Sequence, residues 1–145
     1  MGDWRVIRVR TTAEREEALG VRHEVFVDEQ GVPVDREHDE YDEDAIHFVA
    51  YDSTQPVGVA RLREYDGNMG KVERVAVRDE YRGEGWGRRI MATVETTARE
   101  EGFAGLRLDS QTDVIGFYER LGYDVVSEPF MDAGIRHRTM LKHLD

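Results

Sequence analysis

Apolar residues at Trp4, Val6, Ile7 and Val9 are interleaved with Arg5, Arg8 and Arg10, which predicts a first strand over residues 4–10. Thr11 followed by Glu14 has the spacing of a capping box and opens a helix whose apolar positions include Ala18, Val21 and Val25. That helix is expected to end between Phe26 and Gln30, ahead of Gly31 and Pro33. Residues 47–51 and 57–65 read as strands two and three, joined by a turn over 52–55. Asp66-Gly67-Asn68 is a hairpin signal leading into strand four, residues 71–77, so strands two to four form an antiparallel meander. Next comes an apolar series spaced by four, Trp86, Ile90, Val94 and Ala98 with Met91 beside it, which is one face of a helix stopped by Gly102. Strand five, 106–109, is reached by that crossover and is expected to run parallel to strand four. Asp113 is read as the cap of a short helix over 114–121, ended by Gly122. Two last strands, near 123–130 and 135–141, meet at Asp132-Ala133-Gly134. The order β-α-β-β-β-α-β-α-β-β describes one mixed α/β sheet domain spanning residues 1–145.

Between strand four and the long helix lies Arg82-Gly83-Glu84-Gly85-Trp86-Gly87. Glycine reaches dihedrals that other residues avoid and lacks the Cβ that would hold a ligand away. A helix start offers free N–H groups and the positive end of its dipole, so a glycine-rich loop there suits a phosphate. The segment is not a P-loop, because no Lys-Ser or Lys-Thr follows it. Its glycines run Gly-x-Gly-x-Gly, so it is not the Gly-x-Gly-x-x-Gly dinucleotide fingerprint either.

Composition narrows the classes. A chain of 145 residues can bury a core of its own, and it carries neither an apolar run of membrane-spanning length nor a signal-like start, so a soluble, cytoplasmic protein is expected. The absence of cysteine excludes disulfides, thiolate metal sites and cysteine nucleophiles, and the histidines lack ligand spacing, so no metal is expected. A net charge of −11, with Lys71 and Lys142 the sole lysines, argues against a nucleic-acid backbone as partner. The acidity could attract a cationic substrate or adapt the surface to salt. Its even spread along the chain favours the second and suggests a salt-loving prokaryotic source. The densest run, residues 39–44 within an acidic stretch 34–44, is read as solvated loop.

Arg82, Gly85 and Gly87 fill the pattern Arg/Gln-x-x-Gly-x-Gly, behind a Glu-Arg-Val-Ala-Val strand and Tyr81-Arg82-Gly83. This resembles the coenzyme A loop of the GNAT superfamily of N-acetyltransferases. Phe117-Tyr118-Glu119-Arg120-Leu121-Gly122-Tyr123 is similar to a second GNAT segment. Residues 24–30, His47, and Gly134-Ile135-Arg136-His137-Arg138-Thr139-Met140 resemble the narrower ElaA-like branch. The resemblance implies a single-domain GNAT fold, a mixed, mostly antiparallel sheet with strands four and five as a central parallel pair flanked by helices. It implies acetyl-CoA as cosubstrate and direct attack by a primary amine on the thioester. Strands four and five would splay, so that the backbone of Val75, Ala76 and Val77 pairs with the pantetheine arm and an N–H near Val75 polarises the thioester carbonyl. Amides of Arg82, Gly83, Glu84, Gly85, Trp86, Gly87 and Arg88 would hold the pyrophosphate, and Gln111 stands near where many relatives place an Asn that touches the cofactor. The side chains of Val75 and Val77 are ordinary core.

Tyr118 occupies the position of the family's proton donor to the departing thiolate, where a tyrosine of pure packing role is the alternative. Glu73 is a candidate water-mediated base: strand alternation would put it on the face of Val75, against the plainer reading of a salt bridge to Arg74 or Arg61. His47 and His137, with Glu29 and Gln30 after the first helix, are candidate acceptor-pocket residues. The acceptor's identity is open among amino sugars, polyamines, small amine drugs and protein amines, and homodimers are common in the superfamily. Two other classes compete: a CoA-binding sensor or partner module without catalysis, and an acidic protein-interaction domain unrelated to CoA.

Overall fold

A computed structural model describes residues 3–145. The chain begins with β1 (Trp4–Arg8) and α1 (Thr12–Arg22). The capping box forms as its sequence requires: the Glu14 N–H donates to Thr11 Oγ1 at 3.1 Å, and the Glu14 carboxylate accepts from the N–H groups of Arg10 and Thr11 at 2.8 and 3.1 Å. α1 then continues into a π-helical segment, His23–Glu29. π-Helical turns are rare and concentrate at functional sites, because the extra residue per turn re-aims the side chains that follow. The one-turn helix α2 (Val34–Glu37) precedes β2 (Ile46–Asp52), β3 (Gln55–Asp66) and β4 (Met69–Val77). A 3-10 turn (Asp79–Tyr81), α3 (Trp86–Glu100) and β5 (Gly105–Gln111) follow. The remainder is a second 3-10 turn (Thr112–Val114), α4 (Ile115–Arg120), β6 (Asp124–Val125), β7 (Phe130–Asp132) and β8 (Ile135–His143).

All strands join one sheet in the order β1-β2-β3-β4-β5-β8-β6, with β7 on β8. Every pairing is antiparallel except β4 with β5. On one face Trp86, Ile90, Val94 and Ala98 of α3, with Tyr118 of α4, pack on Phe48, Leu62, Val72, Leu106 and Met140. On the other, Ala18, Val21 and Val25 pack on Val49, Tyr51, Val59 and Ala76. The apolar stripes of α1 and α3 thus clamp the sheet between two cores.

Four expectations need correction. The acidic stretch 34–44 is not simply solvated loop. Glu37 and Asp42 are buried, and the fully buried Arg22 and Arg61 hold them: Arg22 Nε to Glu37 Oε2, Arg22 Nη1 to Asp42 Oδ1 and Arg61 Nη1 to Asp42 Oδ1 are each 2.8 Å. Burying a guanidinium is tolerable only with such partners, so the carboxylates are drawn inward. The stretch 123–130 is not one strand either, since β6 and β7 are separate short pieces that both pair with β8. Asp113 caps nothing; it lies inside a 3-10 turn ahead of α4, with no side-chain cap bond.

The fourth correction concerns β4. Arg61 pairs with Glu73 and Val59 with Ala76, so two residues of β4, Arg74 and Val75, face one of β3. Arg74 takes φ 58°, the left-handed region. This bulge breaks the alternation. Val72 and Val75 both pack toward α3, Ala76 packs toward α1, and Glu73 and Arg74 both reach groups around the acidic stretch. Glu73 and Val75 therefore lie on opposite faces.

Candidate active site

The parallel ladder between β4 and β5 runs from Met69 with Gly105 to Val72 with Leu108 and stops there, although β4 continues to Val77 and β5 to Gln111. The bulge at Arg74 adds local twist just where the strands part. Past it β5 pairs with β8 alone, leaving β4 an unpaired edge inside the molecule. A cleft of about 510 Å³ opens between them. Its walls bring together residues distant in sequence: Glu73, Val75, Ala76 and Val77 of β4, Gln111 of β5, Glu29 and Gln30 at the π-helical end, Arg82, Tyr118 and His137. Of the candidates, His47 is not in the wall. It sits buried on β2 with Nε2–H donating to the Asp42 carbonyl at 2.7 Å, and burial lowers its pKa, as for a structural histidine.

Gly83, Glu84, Gly85, Trp86, Gly87 and Arg88 lie beyond the cleft wall, in the loop and first turn of α3. Gly83 and Gly85 adopt φ +79° and +88°, where a Cβ is unwelcome. Gly85 is the N-cap and offers no side-chain cap, so the first-turn amides of α3 have no capping side chain there. Gly87 serves a different end. A Cβ there would lie 3.0 Å from Cζ of Phe117, so this glycine lets α4 close on α3.

Tyr118 follows Phe117 on α4 and is packed edge-to-face against Phe117 and Tyr123. Burial by itself pushes its phenol well above the usual value, with no charge or hydrogen bond contributing. Glu73 is held otherwise. Burial raises its pKa, but Arg63 and Arg61, each donating to Oε1 at 2.7 Å, and Lys71 nearby outweigh that, leaving it lowered. The salt-bridge reading of Glu73 is realised with Arg61, and with Arg63 in place of Arg74. The Gln111 amide donates to Gln30 Oε1 at 3.1 Å, tying β5 to the end of the first helical run.

Sequence reasoning missed a second pocket of about 100 Å³ beside the cleft, lined by Phe26, Arg36, Arg74, Asp132 and Ile135. Gln30, Gln111 and His137 line both spaces. It also missed the ion-pair web under that pocket, in which Arg74 reaches Glu37 and Asp39, both at 3.1 Å. The one signal available was the density of arginine opposite an acidic run. Among the described residues no helix is long and apolar enough to cross a membrane, and no group of three or more potential metal ligands occurs.

Comparison with known proteins agrees with this architecture. Residues 10–144 match the family model described as the acetyltransferase (GNAT) domain. The chain is 41% identical to the uncharacterized N-acetyltransferase YjcF of Bacillus subtilis, over 95% of this chain and 99% of that protein. The crystal structure of a Lactobacillus plantarum protein assigned as an N-acetyltransferase superposes with a TM-score of 0.91 at 31% identity, covering 97% of this chain and 98% of that one. Escherichia coli ElaA superposes with a TM-score of 0.84 at 24% identity over 99% of this chain and 100% of that one, a likeness of fold.

Proposed function

The chain belongs to the GNAT family of N-acetyltransferases, and from that premise we propose that it transfers the acetyl group of acetyl-CoA to a primary amine within a ternary complex. The observation that carries this reading is the unpaired inner edge of β4 facing β5 across the cleft. An extended amide-bearing chain, such as the pantetheine arm, completes such an edge as an added strand would. The residues fit the rest of the cosubstrate. The glycine cap of α3 leaves the first-turn amides and the positive helix end to a pyrophosphate. Acetyl-CoA supplies the activated acyl group. Everything else is done by the protein.

In this proposal the backbone of Val75, Ala76 and Val77 aligns the thioester, and an N–H near Val75 stabilises negative charge on its carbonyl oxygen. Tyr118 supplies a proton to the leaving sulfur. Its raised pKa keeps it protonated over the working range, and its burial at the cleft wall keeps bulk water from competing. Amides from Arg82 to Arg88 hold the pyrophosphate, and Gln111, fixed by Gln30, lines the passage between the strands. The acceptor enters beside Glu29, Gln30 and His137, where the second pocket meets the cleft.

Thermal unfolding with and without acetyl-CoA, at low and molar salt, tests this. A ligand binding only the native state at 100 times its Kd adds about 2.7 kcal/mol, so the midpoint rises. Thiol release with a panel of primary amines then follows turnover. An unchanged midpoint at both salts in folded protein overturns the reading.

A further inference from the structure

We propose that His137 is the base that removes the acceptor's proton, through Nε2, an inference that rests on the transferase reading above. His137 lies where the two cavities meet. An amine reaching from the small pocket into the cleft would have His137 in the wall of both spaces.

The tautomer follows from one contact. Nδ1 lies 2.7 Å from the carbonyl oxygen of Ile135, which can only accept, so Nδ1 carries the hydrogen. In the neutral ring Nε2 then holds the lone pair. The ring is also oriented: it stacks on Phe130 with centroids 6.0 Å apart and planes 22° from parallel. A base with a fixed tautomer, a fixed plane and a half-buried setting is prepared for one proton transfer.

All but one of the carboxylates around the two spaces are otherwise engaged, the exception being Asp113. Glu73 accepts from Arg61 and Arg63, Glu29 from Arg82, and Glu37 from Arg22. Asp109 accepts from Thr139 Oγ1 at 2.7 Å, and Asp132 from Arg36 at 3.1 Å. Asp113 is exposed. A carboxylate that a guanidinium already grips loses basicity, and freeing it costs the pair. The other charged groups sharing these cavities are Lys71 and Arg74 of β4 and Arg82. Arg36 and Arg74 also line the small pocket.

The protons balance as follows. The ammonium form of the acceptor gives one proton to Nε2, and the freed nitrogen lone pair forms the C–N bond at the acetyl carbonyl. The C–S bond breaks with its electron pair going to sulfur, which takes the Tyr118 proton. The second nitrogen proton restores Tyr118, and imidazolium releases the first to solvent.

The test uses full-length wild type, His137→Gln and His137→Ala, read by thiol release from acetyl-CoA with ethanolamine and 2-phenylethylamine as the first amine probes. Circular dichroism and the acetyl-CoA thermal shift report folding and cofactor binding separately. In His137→Gln we expect kcat to fall about 100-fold with the thermal shift intact. The acidic limb of kcat/KM that belongs to the imidazole should vanish, leaving only the limb of the amine itself. Added imidazole should restore turnover in His137→Ala. An acidic limb unchanged in His137→Gln, or a folded His137→Ala that imidazole does not rescue, overturns the proposal. A wild type whose midpoint ignores acetyl-CoA instead overturns the transferase reading, so the two failures are distinct.

Discussion

Arg82 and Glu29 form a two-pronged ion pair, Nη1 to Oε2 at 2.6 Å and Nη2 to Oε1 at 2.8 Å, between the start of the glycine loop and the last π-helical residue. Arg82 Nε also donates to the carbonyl of Val77 at 2.8 Å. One side chain therefore links the end of β4, the loop that leads into α3, and the end of the first helical run. The sequence motif marks Arg82 for its backbone, yet its guanidinium braces the mouth of the cleft.

Arg82→Ala should act on cofactor binding more than on stability. Both partners are about two-fifths exposed, at 39% and 40%, and exposed pairs contribute about 0–1 kcal/mol. The unfolding midpoint should shift little while KM for acetyl-CoA rises by up to about tenfold, equivalent to ~1.4 kcal/mol. A double-mutant cycle with Glu29→Gln, read by calorimetric acetyl-CoA affinity, checks it: additive effects would mean the brace is idle.

Tyr118→Phe deletes one oxygen from a buried ring whose packing is aromatic. Stability and acetyl-CoA affinity should survive, while kcat drops by about 100-fold or more, as for loss of a general acid. Stopped-flow thiol release beside a binding isotherm separates the two. Undiminished kcat would return Tyr118 to a packing role and favour a route in which thiolate leaves unprotonated.

Glu37→Gln should be the most destabilising of these changes. It weakens the main partner of Arg22 in a place where both side chains are 1% exposed. Breaking a buried pair from one side costs about 3–5 kcal/mol. Urea unfolding at neutral pH measures it. A loss under about 1 kcal/mol would show that Asp42 and the Glu37 carbonyl alone satisfy the guanidinium.

The pH dependence of stability has a defined sign. His47, Asp39, Asp42 and Glu73 all have lowered pKa values in the fold. The unfolded chain then binds more protons as pH falls, so stability is full above the unfolded values and is lost on acidification. Loss should begin below about pH 6.5 with His47 and steepen below about pH 4.5 with the carboxylates. His47→Gln should flatten the first phase and spare the second, in urea titrations from pH 8 to pH 3.

Gly87→Ala probes the contact that seats Tyr118. The new methyl meets the Phe117 ring at 3.0 and 3.3 Å, so the ring, or α4 with it, must give way by a few tenths of an ångström. Overpacking of this kind costs about 1–3 kcal/mol. Because Phe117 adjoins Tyr118 in the chain, kcat should fall with stability. A variant that loses neither would show that the ring swings aside freely.

Local signals carried the strands, the two main helices and the nucleating features of the site. The short strand-forming runs of β2 and β3, the four-residue spacing from Trp86 to Ala98 and the Thr11–Glu14 box depend on neighbours in sequence, and each formed as its pattern requires. The glycine loop was legible for the same reason, since positive φ at Gly83 and Gly85 is a property of the residue itself. The acidic stretch was misread because charge density says nothing about where Arg22 and Arg61 will lie; only packing α1 on the sheet brings them under it. Glu73 was placed on the wrong face because alternation assumes an unbroken ladder, and the bulge at Arg74 comes from pairing with β3. The chain's own sequence thus determined the two main helices, the strands of the meander and the loop whose glycines take positive φ, because those depend on short-range sterics and periodicity. The tertiary structure alone decided where β4 and β5 part, which carboxylates are already held by guanidinium groups, and which His137 nitrogen meets the Ile135 carbonyl, because burial, partners and strand register exist only once distant residues meet.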